Sequence, residues 1–193
     1  MRESILRKAR ESAGVAAQLF ERDAPRLEAC VRAMAERFER GARLFTMGNG
    51  GSACDAQHVA VEFQHPIIEK RRALPALALT TDTATLTAIG NDRDFSMIFV
   101  DQLRLLGRAD DIALGLSTSG QSANVARGLQ AAKEAGMLTV AFSGRDGGRI
   151  ASIAEYSFVA PSFSIHRIQE THTILLHLLW DQVHVAMGED DVL

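Results

Sequence analysis

The chain is poor in cysteine, carries no surplus of one charge and has no long apolar run. Each absence excludes a class of protein. Cys30 and Cys54 are the only cysteines. Two do not make a disulfide framework, so a reducing, cytoplasmic compartment is expected. Cys54 falls near an expected helix start, where a thiol pKa can drop, but nothing else in the sequence points to thiol chemistry. Twenty-one Lys and Arg stand against 24 Asp and Glu, a formal net charge of −3. That balance lacks the basic footprint of a protein that binds nucleic acid or an anionic membrane. The short run Lys70-Arg71-Arg72 reads as a solvated loop. No stretch reaches membrane-spanning length, and the charged, amphipathic N-terminus is not that of a signal peptide. No internal repeat or low-complexity segment stands out.

What is present is an apolar chain of ordinary proportions. With 193 residues, 47% of them hydrophobic, one domain with a substantial core is expected. The chain is organised around Leu44 to Glu62, which begins as a short strand, turns at Gly48-Asn49-Gly50-Gly51 and continues as a helix with Ser52 as its expected N-cap. Three glycines in four positions let backbone N–H groups approach a ligand, and the positive end of a helix favours anions. The turn matches neither G-x-G-x-x-G nor the Gly-Lys-Ser/Thr of a P-loop, so no nucleotide cofactor is expected.

Ahead of this stretch, Ser4–Phe20 and Ala24–Arg40 read as two amphipathic helices, a pair suited to an oligomer interface. After Gly41, strands and helices alternate. Strands are expected over 43–47, 75–79, 111–116, 138–142 and 155–159, and helices over 52–63, 83–89, 95–106 and 122–135. A long final helix runs from Ser164 or His166 to about Met187. The pattern predicts an α/β fold of the flavodoxin-like, three-layer type, with a five-stranded parallel sheet flanked by helices. The single domain divides into the helical pair, 1–40, and the α/β core, 41–193. Such sheets bind ligands outside the strand C-termini where strand order reverses.

A second polar turn, Ser117-Thr118-Ser119-Gly120-Gln121-Ser122, follows the third strand. Its hydroxyls and the next helix N-terminus suit a phosphate without any lysine. His58 and Glu62, at i and i+4, share one helix face. Gln169 and His177 share a face of the last helix, which also carries His172 and His184. Together, His58, Glu62, Gln169 and His177 form a candidate four-ligand N/O metal set. Alternatively, Glu62 and His177 are a proton-carrying pair. Spacing does not choose between these.

Six ordered motifs now carry a resemblance. They are Met47-Gly48-Asn49-Gly50-Gly51-Ser52, Asp55-Ala56-x-His58-x-x-x-Glu62, Gly90-Asn91-Asp92, Ser117-Thr118-Ser119-Gly120-x-Ser122-Ala123-Asn124, Gly144-x-Asp146-Gly147-Gly148 and Arg167-Ile168-Gln169-Glu170-x-His172. As a set they resemble the sugar isomerase (SIS) domain family over nearly the whole chain. The resemblance implies an aldose–ketose isomerisation of D-sedoheptulose 7-phosphate to D-glycero-D-manno-heptose 7-phosphate through an enediol, the first step of ADP- or GDP-heptose biosynthesis. It implies Glu62 as general base and His177 as partner acid/base. Ser117, Thr118, Ser119 and Ser122 would hold the phosphate. Asn49, Gly50, Gly51, Ser52, Glu62, Asn91, Asp92 and Gln169 would hold the sugar. It further implies zinc on His58, Glu62, Gln169 and His177, and a homotetramer with sites at subunit interfaces.

Two departures stand out. Phe63-Gln64-His65-Pro66-Ile67-Ile68 replaces a Gly-Arg-containing segment, and His166 replaces an acidic residue. Two other functions belong to the same fold. One is a non-catalytic SIS-domain tetramer binding the replication initiator, which lacks the catalytic Glu and His. The other is an isomerase or sensor for a different sugar phosphate. Retention of Glu62 and His177 favours the enzyme, since function is argued from the site.

Overall fold

The computed structural model describes residues 1–67 and 70–191. Ile68, the last residue of the departing segment Phe63 to Ile68, lies outside the described residues. The elements run α1 (Arg2–Glu39), β1 (Leu44–Met47), α2 (Gly51–Gln64), β2 (Ala76–Ala78), α3 (Thr83–Asp92), a 3-10 turn (Phe95–Met97), α4 (Ile98–Leu106), β3 (Ile112–Ser117), α5 (Ala123–Glu134), β4 (Leu138–Gly144), α6 (Gly148–Ile153), β5 (Tyr156–Ala160) and α7 (Ile165–Ala186). The five strands form one sheet in the order β2-β1-β3-β4-β5, with every neighbouring pair parallel. Strand order reverses between β1 and β3, so the turns after these two strands lie side by side at the edge where such sheets bind ligands.

Alternation along the strands supplies both faces of the sheet. Leu44, Ile112, Leu114, Leu116, Leu138, Val140, Phe142 and Phe158 point into a core shared with α1, α2 and α7. Phe45, Met47, Ala113 and Ala141 point the other way, into a core shared with α4 and α5. Because both faces are covered, the strands read as continuous apolar runs. Asp82 caps α3 by accepting from Thr85 N at 3.0 Å. No helix among the described residues is long and apolar enough to cross a membrane.

The N-terminal region departs from expectation. Instead of two helices, one helix runs without a break from Arg2 to Glu39, with Pro25 inside it. An interior proline removes one helical hydrogen bond and costs about 3 kcal/mol. The offset lies on both sides of it. Leu19, Leu27, Cys30, Val31, Met34 and Phe38 are all buried, in an apolar stripe packed mainly on α7, and each such side chain contributes about 1.5–3 kcal/mol. Near Pro25 the helix is also tied to β5. Arg22 Nη2 donates to Val159 O at 2.8 Å and Arg26 Nη1 to Ser157 O at 3.2 Å.

The run Lys70-Arg71-Arg72 is not a solvated loop throughout, because the Arg71 side chain is only 3% exposed and pairs with Asp181 at 2.7 Å.

Candidate active site

The turn after β1 owes its shape to Gly50, whose φ of 55° and ψ of −124° suit glycine and few other residues. Gly50, not Ser52, is the N-cap of α2, and its carbonyl accepts from Ala53 N at 2.9 Å. Ser52 instead lies within the first turn, buried. Here backbone carbonyls of the tight turn open the helix, so no side-chain cap is required.

The turns after β1 and β3 are bound to each other. Asn49 Nδ2 donates to Asn124 Oδ1 and Asn124 Nδ2 to Asn49 Oδ1, both at 2.8 Å. Asn124 is buried and also accepts from Val125 N at 2.9 Å. Asn124 closes the motif that begins at Ser117. Its role as the tie follows from β1 being the neighbour of β3, which the sequence order does not display.

In the Ser-rich turn, Ser117 and Ser122 share a hydroxyl–hydroxyl bond of 2.9 Å, and Ser119 Oγ accepts from Gln121 N at 3.2 Å. Thr118 and Ser119 are partly exposed. Gly120 has φ +66°, and a Cβ there would lie 2.0 Å from Gly147 O. Ile150 N donates to Gly120 O at 3.1 Å. The turn after β3 therefore rests directly on the backbone of the turn after β4. Of its hydroxyls, that of Ser117 is buried, while Thr118, Ser119 and Ser122 are partly exposed just ahead of α5.

The facing surfaces of α2 and α7 bring together the remaining candidates. Gln169 lies against the start of α2, where a Cβ on Gly51 would fall 2.1 Å from Gln169 Nε2. About 10 Å further along, at 1.5 Å of rise per residue, His58 Nε2 lies 3.1 Å from Glu62 Oε1 and 3.3 Å from His177 Nε2. The three side chains offer ligand atoms within 4.8 Å of one another. Thus His58, Glu62 and His177 meet, while Gln169 of α7 lies against Gly51 at the start of α2. Asn91 and Asp92 end α3, exposed, with Asn91 Nδ2 donating to Asp92 Oδ1 at 2.8 Å. Among the described residues, no hydrogen bond joins them to the other candidates.

The cluster is short of protons. A neutral imidazole has one N–H, and an ionised carboxylate has none. If His58 Nε2–H donates to Glu62, His177 Nε2 faces the same hydrogen and must share it. If His177 donates instead, His58 presents a bare nitrogen to a carboxylate. A cation satisfies all three atoms at once, and two imidazoles with a carboxylate are a donor set that zinc accepts. Nearby, burial holds the Asp55 carboxyl above its usual range, partly opposed by His58, and Asp55 Oδ2 has no hydrogen-bond partner.

His172 and His184 lie apart from this chemistry. His172 is buried, donates from Nε2 to Ser143 O at 3.0 Å, and is held by burial at a pKa of about 4. His184 is buried against Trp180 and bonds Glu189 at 3.0 Å.

An open parallel sheet with two glycine- and serine-rich turns at its strand ends, and a carboxylate–imidazole cluster alongside, defines a small-ligand-binding domain of the doubly wound α/β class. Residues 9–144 match the SIS domain, and the chain belongs to the SIS domain family. It is 45% identical over 189 residues to a phosphoheptose isomerase of Aquifex aeolicus, covering 98% of this chain and 99% of the relative. It is 46% identical over 171 residues to one of Pelobacter propionicus, covering 88% and 90%. Two solved structures are similar throughout. The phosphoheptose isomerase of Neisseria gonorrhoeae has a TM-score of 0.87 and 38% identity, covering 94% of this chain and 97% of its own. That of Francisella tularensis has a TM-score of 0.90 and 32% identity, covering 95% and 97%.

Proposed function

We propose that the protein isomerises D-sedoheptulose 7-phosphate to D-glycero-D-manno-heptose 7-phosphate through an enediol. The observation that carries this reading is the meeting of Glu62 and His177 on facing helices, in a chain so similar to phosphoheptose isomerases. From the ketose, Glu62 removes a proton from C1 while His177 gives one to O2, forming the enediol. Return of a proton to C2 and loss of the O1 proton yield the aldose. A base for carbon and a proton carrier for oxygen are what this sequence of steps requires.

The Ser117–Ser122 turn holds the phosphate through hydroxyls and the α5 N-terminus. Gly50, Gly51, Ser52 and Gln169 line the start of α2, where the sugar lies, and Asn49 is held in place by Asn124. Asn91 and Asp92 take part from α3. An extended heptose 7-phosphate spans about 10 Å from phosphorus to C1 by ordinary bond lengths. His58, Glu62 and His177 would hold zinc, with Gln169 of α7 as the fourth member of the set, as an alternative to the proton-carrying roles of Glu62 and His177, because the same side-chain atoms serve both. When bound, zinc supplies Lewis-acid polarisation of substrate oxygens.

The assembly we infer is a homotetramer in the cytoplasm. In support, a groove of about 610 Å³ between α1 and α7 is lined by Phe20, Leu27, Val31, Leu178 and Val185, with Glu28, Arg32 and Gln182 among them. Ile174 and Leu178, 40% and 37% exposed, flank the exposed His177. The initiator-binding alternative is not favoured, because Glu62 and His177 are both retained and meet.

The test is NMR of sedoheptulose 7-phosphate in deuterated solvent, with and without zinc. Wild-type protein should form the aldose and exchange label at C1 or C2. Glu62→Gln should fold normally and lose at least about 100-fold in rate, the usual scale for a general base. Absence of product from folded wild type under both metal conditions would sink the assignment.

A further inference from the structure

The buried arginine beyond α2 has no role in the steps above, yet few charged side chains in the protein are as closely surrounded. Arg71 Nη2 donates to Asp181 Oδ1 at 2.7 Å and to Asp190 O at 3.2 Å. Its Nε lies 3.8 Å from Glu189 Oε2. Its guanidinium carbon stands 4.7 Å from the centroid of the Trp180 ring. Glu189 in turn accepts from Arg72 N at 3.3 Å. Taking an arginine and an aspartate out of water costs several kcal/mol per ion before their attraction is counted, so such a pair is weak evidence for stability alone. Its position suggests another use.

Asp181 follows His177 by one turn of α7 and so lies on nearly the same face. Three residues after Arg71, Leu74 N donates to Phe63 O at 2.7 Å, and Phe63 is the residue after Glu62. Residues 71–74 therefore form a short strap. One end is fixed to α7 one turn beyond His177, and the other to α2 one residue beyond Glu62. Phe63 also stacks on His184 of α7, with ring centroids 6.4 Å apart.

We propose that Arg71 is a positioning residue for the reaction: through Asp181 it sets the separation and register of Glu62 and His177. This rests on the isomerase reading for its kinetic test, but the geometry it governs is measurable without turnover. Removing Arg71 alone leaves Asp181 buried and unpaired and can unfold the protein. The informative variant is the double replacement Arg71→Met with Asp181→Asn, which nearly keeps the shape of both side chains and removes both charges.

The experiment compares wild type, Arg71→Lys and the double variant by thermal unfolding, by kcat and KM for sedoheptulose 7-phosphate, and by the ring 15N shifts of His58 and His177. The double variant should melt near wild type. Its kcat should fall by about tenfold or more with KM within about threefold, as a misplacement of reacting groups by a fraction of an ångström does. The 15N shifts of His58 and His177 should move, and Arg71→Lys, which keeps a charge for Asp181, should recover part of kcat. A folded double variant with kcat within about twofold of wild type and unmoved histidine shifts would overturn the proposal. If wild type itself does not turn over this sugar, the isomerase reading fails, and the 15N shifts alone decide the role of Arg71.

Discussion

His172 shows how a single side chain ties the sheet to the site without touching it. It is buried near the start of α7, three residues after Gln169, packs on Phe142, and donates to the carbonyl of Ser143 near the end of β4. Burial lowers its pKa from 6.5 to about 4, so the native ring stays neutral where the unfolded ring takes up a proton. The sign follows directly. The unfolded chain binds more protons between those values, so stability is complete above about pH 6.5 and falls as pH drops toward 4, by on the order of 3 kcal/mol. His184 shifts in the same direction, lowered by burial and partly restored by Glu189. Urea midpoints measured from pH 7.5 to 4 check this. His172→Asn keeps a donor for Ser143 O and has no ring to titrate, so its midpoint should fall less steeply than that of wild type. Equal slopes would mean that the burial of His172 does not govern the acid limb.

Between elements, the sharpest constraint is the contact of two turns at Gly120 and Gly147. Gly120→Ala must place a methyl where Gly147 O lies, 2.0 Å away, at a φ of +66° that side chains disfavour. A loss of about 2–4 kcal/mol is expected from strain and forced displacement together. Because the displaced turn carries Ser117, Ser119 and Ser122, KM should rise more than kcat falls. Chemical unfolding and steady-state kinetics on the same sample would test both. At this scale much of the architecture could be read in advance. The five strands fall within two residues of their expected limits, because strands buried on both faces are unbroken apolar runs between polar turns. The break expected between Phe20 and Ala24 does not occur: one helix runs through it, and the stripe that carries it packs on α7, a partner more than a hundred residues away. Arg71 departs from expectation in the same way: a basic triplet looks solvated until Asp181 and Trp180 arrive from the other end of the chain. The i, i+4 spacing put His58 and Glu62 on one helix face, but it could not pair them with His177. That pairing depends on how α2 and α7 pack, which spacing does not encode and the family motifs did.

For the molecule as a whole, the groove between α1 and α7 is the surface to test. Leu178 lines it and is 37% exposed. Leu178→Asp should leave the monomer folded, because half-exposed positions tolerate charge, while desolvating a carboxylate opposes association there. Light scattering should then show smaller species than wild type, and turnover should fall with the loss of assembly. An unchanged mass would place the interface elsewhere. The sheet edges carry a different kind of contact. At one end of the sheet, the carbonyls of Ser157 and Val159 on β5 are taken up by Arg26 and Arg22. At the other, Gln64 donates to the carbonyl of Ala76 on β2. A parallel sheet with bare edges is a template on which a further strand, native or foreign, can add. Here side chains from helices take up backbone acceptors at both edges, so addition of a further strand is hindered at those carbonyls.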